Sequence, residues 1–191
     1  MGILGVFIFR VSLRNDSLYE VLQGILLRIQ PDLWIESQRQ EATLELLRRW
    51  VEGSPYTSAL GTRLDKAENG VVEILLPYQD ANLNPGGALH GGCAATLAAM
   101  GAQCATRMAM GEEAGPFHTA GIQVNYLAAA LSEDVLARAE LLRRGKDMCF
   151  VQIRIETQEG KPIAEASAMV RARHAADPAV FGRAVGDSGG G

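Results

Sequence analysis

The sequence predicts an α+β domain in which an antiparallel sheet wraps one long buried helix. The run from Gly91 to Met110 is apolar on every side, which calls for a helix enclosed all round by other structure. Segments before and after it alternate apolar and polar residues with the period-two pattern of strands. The links between those strand-like segments are short, which favours antiparallel pairing.

Two helical patterns come first. Ser17 and Glu20 match a capping box, and Leu18, Val21, Leu22, Ile25, Leu26 and Ile29 form a stripe that Pro31 should end. A second stripe uses Leu44, Leu47, Trp50 and Val51 and stops at Gly53. The period then changes: "ALGTRLDKAENGVVEILLP" reads as two strands joined by a tight turn at Asn69-Gly70, with Val72, Ile74 and Leu76 on one face. After the apolar helix come "AGIQVNYL", with Ile122, Val124 and Tyr126 alternating, and "VLARAELL", with Val135, Ala137, Ala139 and Leu141. "MCFVQIRIET" continues the alternation through Val151, Ile153 and Ile155, and "PIAEASAMVRARH" closes the set after a turn at Gln158-Glu159-Gly160. The expected organisation is an arm with packing helices over residues 1–53, one domain over 54–174 and a flexible tail over 175–191, whose ending GDSGGG is rich in Gly and small residues.

Composition narrows the function classes. The 191 residues suit one domain with appendages, 48% hydrophobic and 21% charged, and the net charge of -4 offers no electrostatic footprint for nucleic acid. The segment from Ala88 to Met110 contains His90, Gln103 and Arg107 and is dominated by Ala and Gly, so no membrane span is expected. MGILGVFIF lacks a basic n-region, which makes a secretory signal a poor fit. Cys93, Cys104 and Cys149 lack the paired spacings of zinc sites or disulfides and read as reduced thiols of a cytoplasmic protein. His90, His118 and His174 are too dispersed for a metal site, and neither metal nor cofactor is expected.

The turn before the long helix is where chemistry concentrates. "LNPGGALHGGCAATLAAMGAQCA" holds no carboxylate and places Gly91 and Gly92 where unpaired backbone N–H groups meet the positive end of the helix dipole. With no side chain to block the approach of a carbonyl, such a turn can hold an oxyanion. Two readings are open: an oxyanion site, or a tight turn that His90 merely caps. Cys93, in the first helical turn, is open to a nucleophilic or a packing role.

In "NPGGALHGG", Asn84 stands six positions and Gly87 three positions before His90, and "HTAGIQVNYL" follows the helix. With the strand series, this resembles the hot-dog-fold acyl-CoA thioesterases of the phenylacetate-pathway and hydroxybenzoyl-CoA type, over about Ala59 to Arg173. The resemblance implies a homodimer or homotetramer acting on acyl-CoA. It implies that the Gly91 N–H binds the thioester oxygen, that His90 and Asn84 shape and orient the site with Gly87 and Gly92, and that Thr119 positions water. Arg143, Arg144 and Lys146 would lie near the phosphates of coenzyme A. The family usually carries Asp or Glu nine residues after the His as base or nucleophile; here that position is Ala99. Gln103, one turn further, can orient water but cannot take its proton, and Asp80 lies in the preceding loop. The expected function is therefore acyl-CoA thioester hydrolysis, with a weakly active or inactive acyl-CoA-binding protein as the alternative. A hydratase is disfavoured, because it needs an acid/base pair and the turn lacks the Asp.

Overall fold

The computed structural model describes residues 31–172, so the expected helix over residues 17–29, His174 and the tail lie outside the described residues. The chain divides after Leu46 into two compact units, and the sheet, the central helix and the candidate site all belong to the second.

Helix α1 spans Pro31–Glu52, so Pro31 opens this helix, as its fixed φ and missing N–H allow at a first position. Leu47 and Val51 are fully buried, whereas Trp50, expected on the same stripe, is 45% exposed. A short helix not anticipated from the sequence, α2 (Pro55–Leu60), follows at once. Ser54 caps it by accepting from the Thr57 N–H, Pro55 occupies its first turn, and Gly61 ends it at a φ of 77°.

Strands β1 (Arg63–Glu68) and β2 (Val71–Leu76) form the expected hairpin. Its turn places Asn69 at φ 52° and Gly70 at φ 80°, both left-handed, which the Asn-Gly pair tolerates. Val72, Ile74 and Leu76 are buried on one face, as the alternation requires. The central helix α3 runs over Gly91–Met110, followed by β3 (Phe117–Tyr126), β4 (Val135–Arg144), β5 (Met148–Thr157) and β6 (Pro162–Ala172). The six strands make one sheet in the order β1-β2-β4-β5-β6-β3, with every neighbouring pair antiparallel.

The core lies between α3 and the sheet. Leu97, Ala98, Ala102 and Ala105 face Val135, Ala137, Ala139, Val151, Ile153, Ile155 and Val170, all buried to within 1%. Each large aliphatic side chain there contributes about 1.5–3 kcal/mol on burial. Alanines on both surfaces let the helix lie close: a Cβ on Gly101 would stand 3.0 Å from the Cβ of Ala139.

Within one chain the sheet covers α3 only in part: Gly92 is exposed, and Thr96, Ala99 and Gln103 are only half-buried. These residues recur at helical spacing on one face, and a single sheet reaches only the opposite side. Ile122 and Tyr126, which alternate along one face of β3, are 41% and 58% exposed, because β3 is an edge strand at the margin of the core. No described helix is long and apolar enough to cross a membrane.

Candidate active site

The turn before α3 is built by its own backbone. Asn84 Oδ1 accepts from the N–H groups of Gly86 (2.8 Å) and Ala88 (3.3 Å), while the Gly87 N–H donates to the Asn84 carbonyl at 3.0 Å. Gly87 needs its lack of a Cβ for conformation, with φ 77°, and not for space, since a Cβ there would meet nothing within 4 Å. Leu83 and Leu89 close the loop as an isolated bridge. Asn82, a residue the sequence did not single out, anchors it. It is buried, its Nδ2 donates to the Leu60 carbonyl at 2.9 Å, and its own carbonyl accepts the His90 N–H at 2.8 Å.

His90 is the N-cap of α3. Its Nδ1 accepts from the Gly92 N–H at 2.9 Å, which assigns the ring proton to Nε2 in the neutral tautomer, and its carbonyl accepts the Cys93 N–H at 2.8 Å. The Gly91 N–H makes no hydrogen bond among the described residues. Tyr126 stands beside it: its hydroxyl donates to the Gly91 carbonyl at 3.0 Å, and a Cβ on Gly91 would lie 3.2 Å from the Tyr126 ring. One unspent donor at the positive end of a helix of about 30 Å, between a histidine and a tyrosine, is an arrangement that can stabilise negative charge developing on a carbonyl oxygen. Tyr126 was legible only as an alternating residue of a strand; its partnership with Gly91 links positions 35 apart.

The other expected residues fall elsewhere. Gln103 Nε2 donates to Thr119 Oγ1 at 3.2 Å, and Gln103 Oε1 accepts from Arg107 Nη1 at 2.9 Å, so Thr119, Gln103 and Arg107 form one chain of hydrogen bonds. It begins twelve residues along α3 from Gly91, about 18 Å at 1.5 Å per residue, too far to serve the same carbonyl in one chain. Ala99 is about 12 Å along. It borders a cleft of about 230 Å³ beside the uncovered face of α3, lined by Trp50, Thr96, Met100, Gln103 and Arg107 among others, with no carboxylate in its wall.

Arg143, Arg144 and Lys146 sit at the opposite end of the sheet from the turn. β4 starts at Val135 against Leu76 and ends near Cys149, whose sulfur lies 3.4 Å from that of Met110 at the far end of α3. One chain therefore does not bring them to Gly91. Asp80 is exposed and accepts from the Tyr78 hydroxyl at 2.8 Å. Burial raises the Cys93 thiol pKa, the reverse of what a nucleophile at a helix start needs. Among the described residues no three His, Cys, Asp or Glu side chains gather as a metal ion would require.

A sequence profile described as the acyl-CoA thioesterase N-terminal domain matches residues 79–171. A Halobacterium salinarum protein named for an inferred esterase activity is 31% identical over 59% of this chain and 76% of its own length. A thioesterase of Haemophilus influenzae superposes with a TM-score of 0.65 at 25% identity, over 71% of this chain and 94% of its own. A thioesterase-family protein of Silicibacter pomeroyi gives 0.64 at 27% identity, over 69% and 98%. With a six-stranded antiparallel sheet against one long helix and the Asn-x-x-Gly-x-x-His-Gly-Gly turn at the start of that helix, the chain belongs to the hot-dog-fold thioesterase family.

Proposed function

We propose that the chain hydrolyses acyl-CoA thioesters as a homodimer, with each site shared between two subunits. The observation that carries this reading is the unbonded Gly91 N–H at the start of α3. A thioester carbonyl seated there gains a donor whose strength rises as the oxygen becomes an oxyanion, worth about 10²–10³ in rate. The departing thiol ionises near pKa ~8.5 and leaves without strong acid assistance. His90 and Tyr126 wall the carbonyl on either side, and Asn84 keeps the turn in shape.

The distances motivate the second subunit. Antiparallel α3 helices packed side by side, with a two-fold axis near Ala95, would bring position 99 and the more distant Gln103–Thr119 pair toward the partner's Gly91. The uncovered stripe of small residues and the exposed edge of β3 both supply surface for such a pairing. Arg143, Arg144 and Lys146 would meet the coenzyme A phosphates only through a neighbouring subunit. The reduced thiols fit a cytoplasmic setting.

With Ala99 where a carboxylate would serve as base, hydrolysis relies on water oriented by Thr119 and Gln103, and turnover should fall short of a base-equipped site by about 10²–10⁴. The carboxylate-free wall of the cleft favours a second reading, an acyl-CoA-binding protein. Turnover of aromatic, short and long acyl-CoAs, measured beside equilibrium binding of the same compounds, separates the two. Hydrolysis abolished by His90→Ala supports the enzyme. Tight binding without turnover supports the binding protein, and neither activity on any acyl-CoA overturns both.

A further inference from the structure

The end of the cleft beside Ala99 is closed by a cation. Arg107 is 4% exposed, although it sits on the helix that builds the core. Its guanidinium lies 3.9 Å from the ring centroid of Trp50 and 4.9 Å from that of Phe117, which fixes its plane. From Nη1 it donates to the carbonyl and to Oε1 of Gln103. Nε is buried and forms an ion pair with Glu112 Oε2, on a side chain 46% exposed, at 3.3 Å. A guanidinium carries five donors, and the edge formed by Nε and Nη2 is the fork that matches a carboxylate. Burial lowers the pKa of Arg107, an effect that Glu112 opposes, so the fold holds this charge at a cost.

We propose that the cleft takes the acyl chain and that Arg107, held by Gln103, selects ω-carboxyacyl thioesters, the half-thioesters of dicarboxylic acids. The inference rests on the thioester reading above and adds the substrate class. A cavity of about 150 Å³ holds benzene, so the 230 Å³ here suits a short to medium chain. Ala99 and Arg107 are eight residues apart, about 12 Å along the helix, which separates the carbonyl from the far carboxylate. A single cation already facing Glu112 matches one negative charge better than a phosphate dianion. The apolar remainder of the wall accepts methylenes.

The test uses acyl-CoAs of equal chain length ending in a carboxylate or a methyl group, as thioesters for turnover and as non-hydrolysable thioethers for binding. Wild type should prefer the carboxylate by at least about 10-fold, as a hydrogen bond between charged groups implies, and Arg107→Met should abolish or invert that preference. Glu112→Gln, a change at a half-exposed residue, should tighten binding of the carboxylate thioether several-fold and leave the methyl one unchanged; it decides the matter if Arg107→Met does not fold. A wild type that prefers the methyl end, or Glu112→Gln with unaltered carboxylate affinity, overturns the inference. Carboxylate preference among thioethers without any turnover upholds it while refuting hydrolysis. Turnover without chain-end preference does the opposite.

Discussion

Replacing Ala99 by Asp asks whether the site is a thioesterase lacking only its base. Ala99 is half-buried on the uncovered face of α3 and borders the 230 Å³ cleft, so a carboxylate can be added there without overpacking the core. A positioned base contributes about 10²–10⁴ in rate, and since it acts in the transition state the gain should appear in kcat with little change in ligand affinity. An increase of order 10² in kcat is expected for whichever acyl-CoA the wild type binds best. Desolvation in the cleft pushes the new carboxyl upward in pKa and Arg107, two turns along, pulls it down, so the rate should be followed into alkaline pH. In one chain position 99 is about 12 Å from Gly91, so on the shared-site proposal the new base serves the partner's carbonyl. Mixing subunits that carry both Ala99→Asp and His90→Ala with wild-type subunits therefore gives a sharper assay. The heterodimer has one site with both the base, from the doubly substituted subunit, and an intact turn, from the wild-type subunit, whereas neither homodimer has such a site. Mixtures whose kcat never rises above that of the wild-type subunits they contain, although Ala99→Asp alone gains activity, would refute the shared geometry. A folded Ala99→Asp with no gain on any acyl-CoA would refute the latent hydrolytic site.

Gly92→Ala should unseat His90, because the new Cβ would stand 2.9 Å from Nδ1. Loss of the helix cap costs about 1 kcal/mol, or a melting point about 2–4 °C lower, alongside a fall in turnover; an unchanged melt with full activity would mean that the histidine caps nothing. Cys104 is held protonated by burial, its pKa pushed up from 9.0 to about 12. The folded state thus keeps a proton that the unfolded state releases, so stability is fully present below pH 9 and declines as the pH rises toward 12. Thermal melts across that range should show the decline, and Cys104→Ala should lessen it, with the part that remains owed to Cys93 and Cys149, whose thiols burial also raises.

Local signals carried much of the fold. Asn69-Gly70 marks the hairpin because few other pairs accept two left-handed residues in succession, and the run from Gly91 to Met110 is the helix that its composition indicates. The period-two runs became β3 to β6 because alternation is a property of each strand alone. What depends on partners distant in sequence was not legible. Alternation cannot tell that β3 lies at the sheet edge, so the exposure of Ile122 and Tyr126 was not legible. The burial of Arg107 depends on Trp50, 57 positions earlier, and on the turn that brings Phe117 back across the helix end. Arg143, Arg144 and Lys146 lie a helix length from Gly91 because pairing with β2 fixes the direction of β4. Asn84 and His90 stood out through their spacing, whereas Asn82 did not: its importance comes from a buried amide reaching Leu60.

The central claim is that the Gly91 N–H receives the thioester oxygen, and its amide proton resonance tests this directly. A coenzyme A derivative in which a ketone replaces the thioester presents the same carbonyl oxygen and cannot be hydrolysed. Titrated into the protein, it should move the Gly91 amide proton strongly downfield, as a newly formed hydrogen bond does, whether the protein turns acyl-CoA over or only holds it. An analogue that saturates the protein and shifts other resonances while Gly91 stays in place would contradict the assignment of the oxyanion site to this turn.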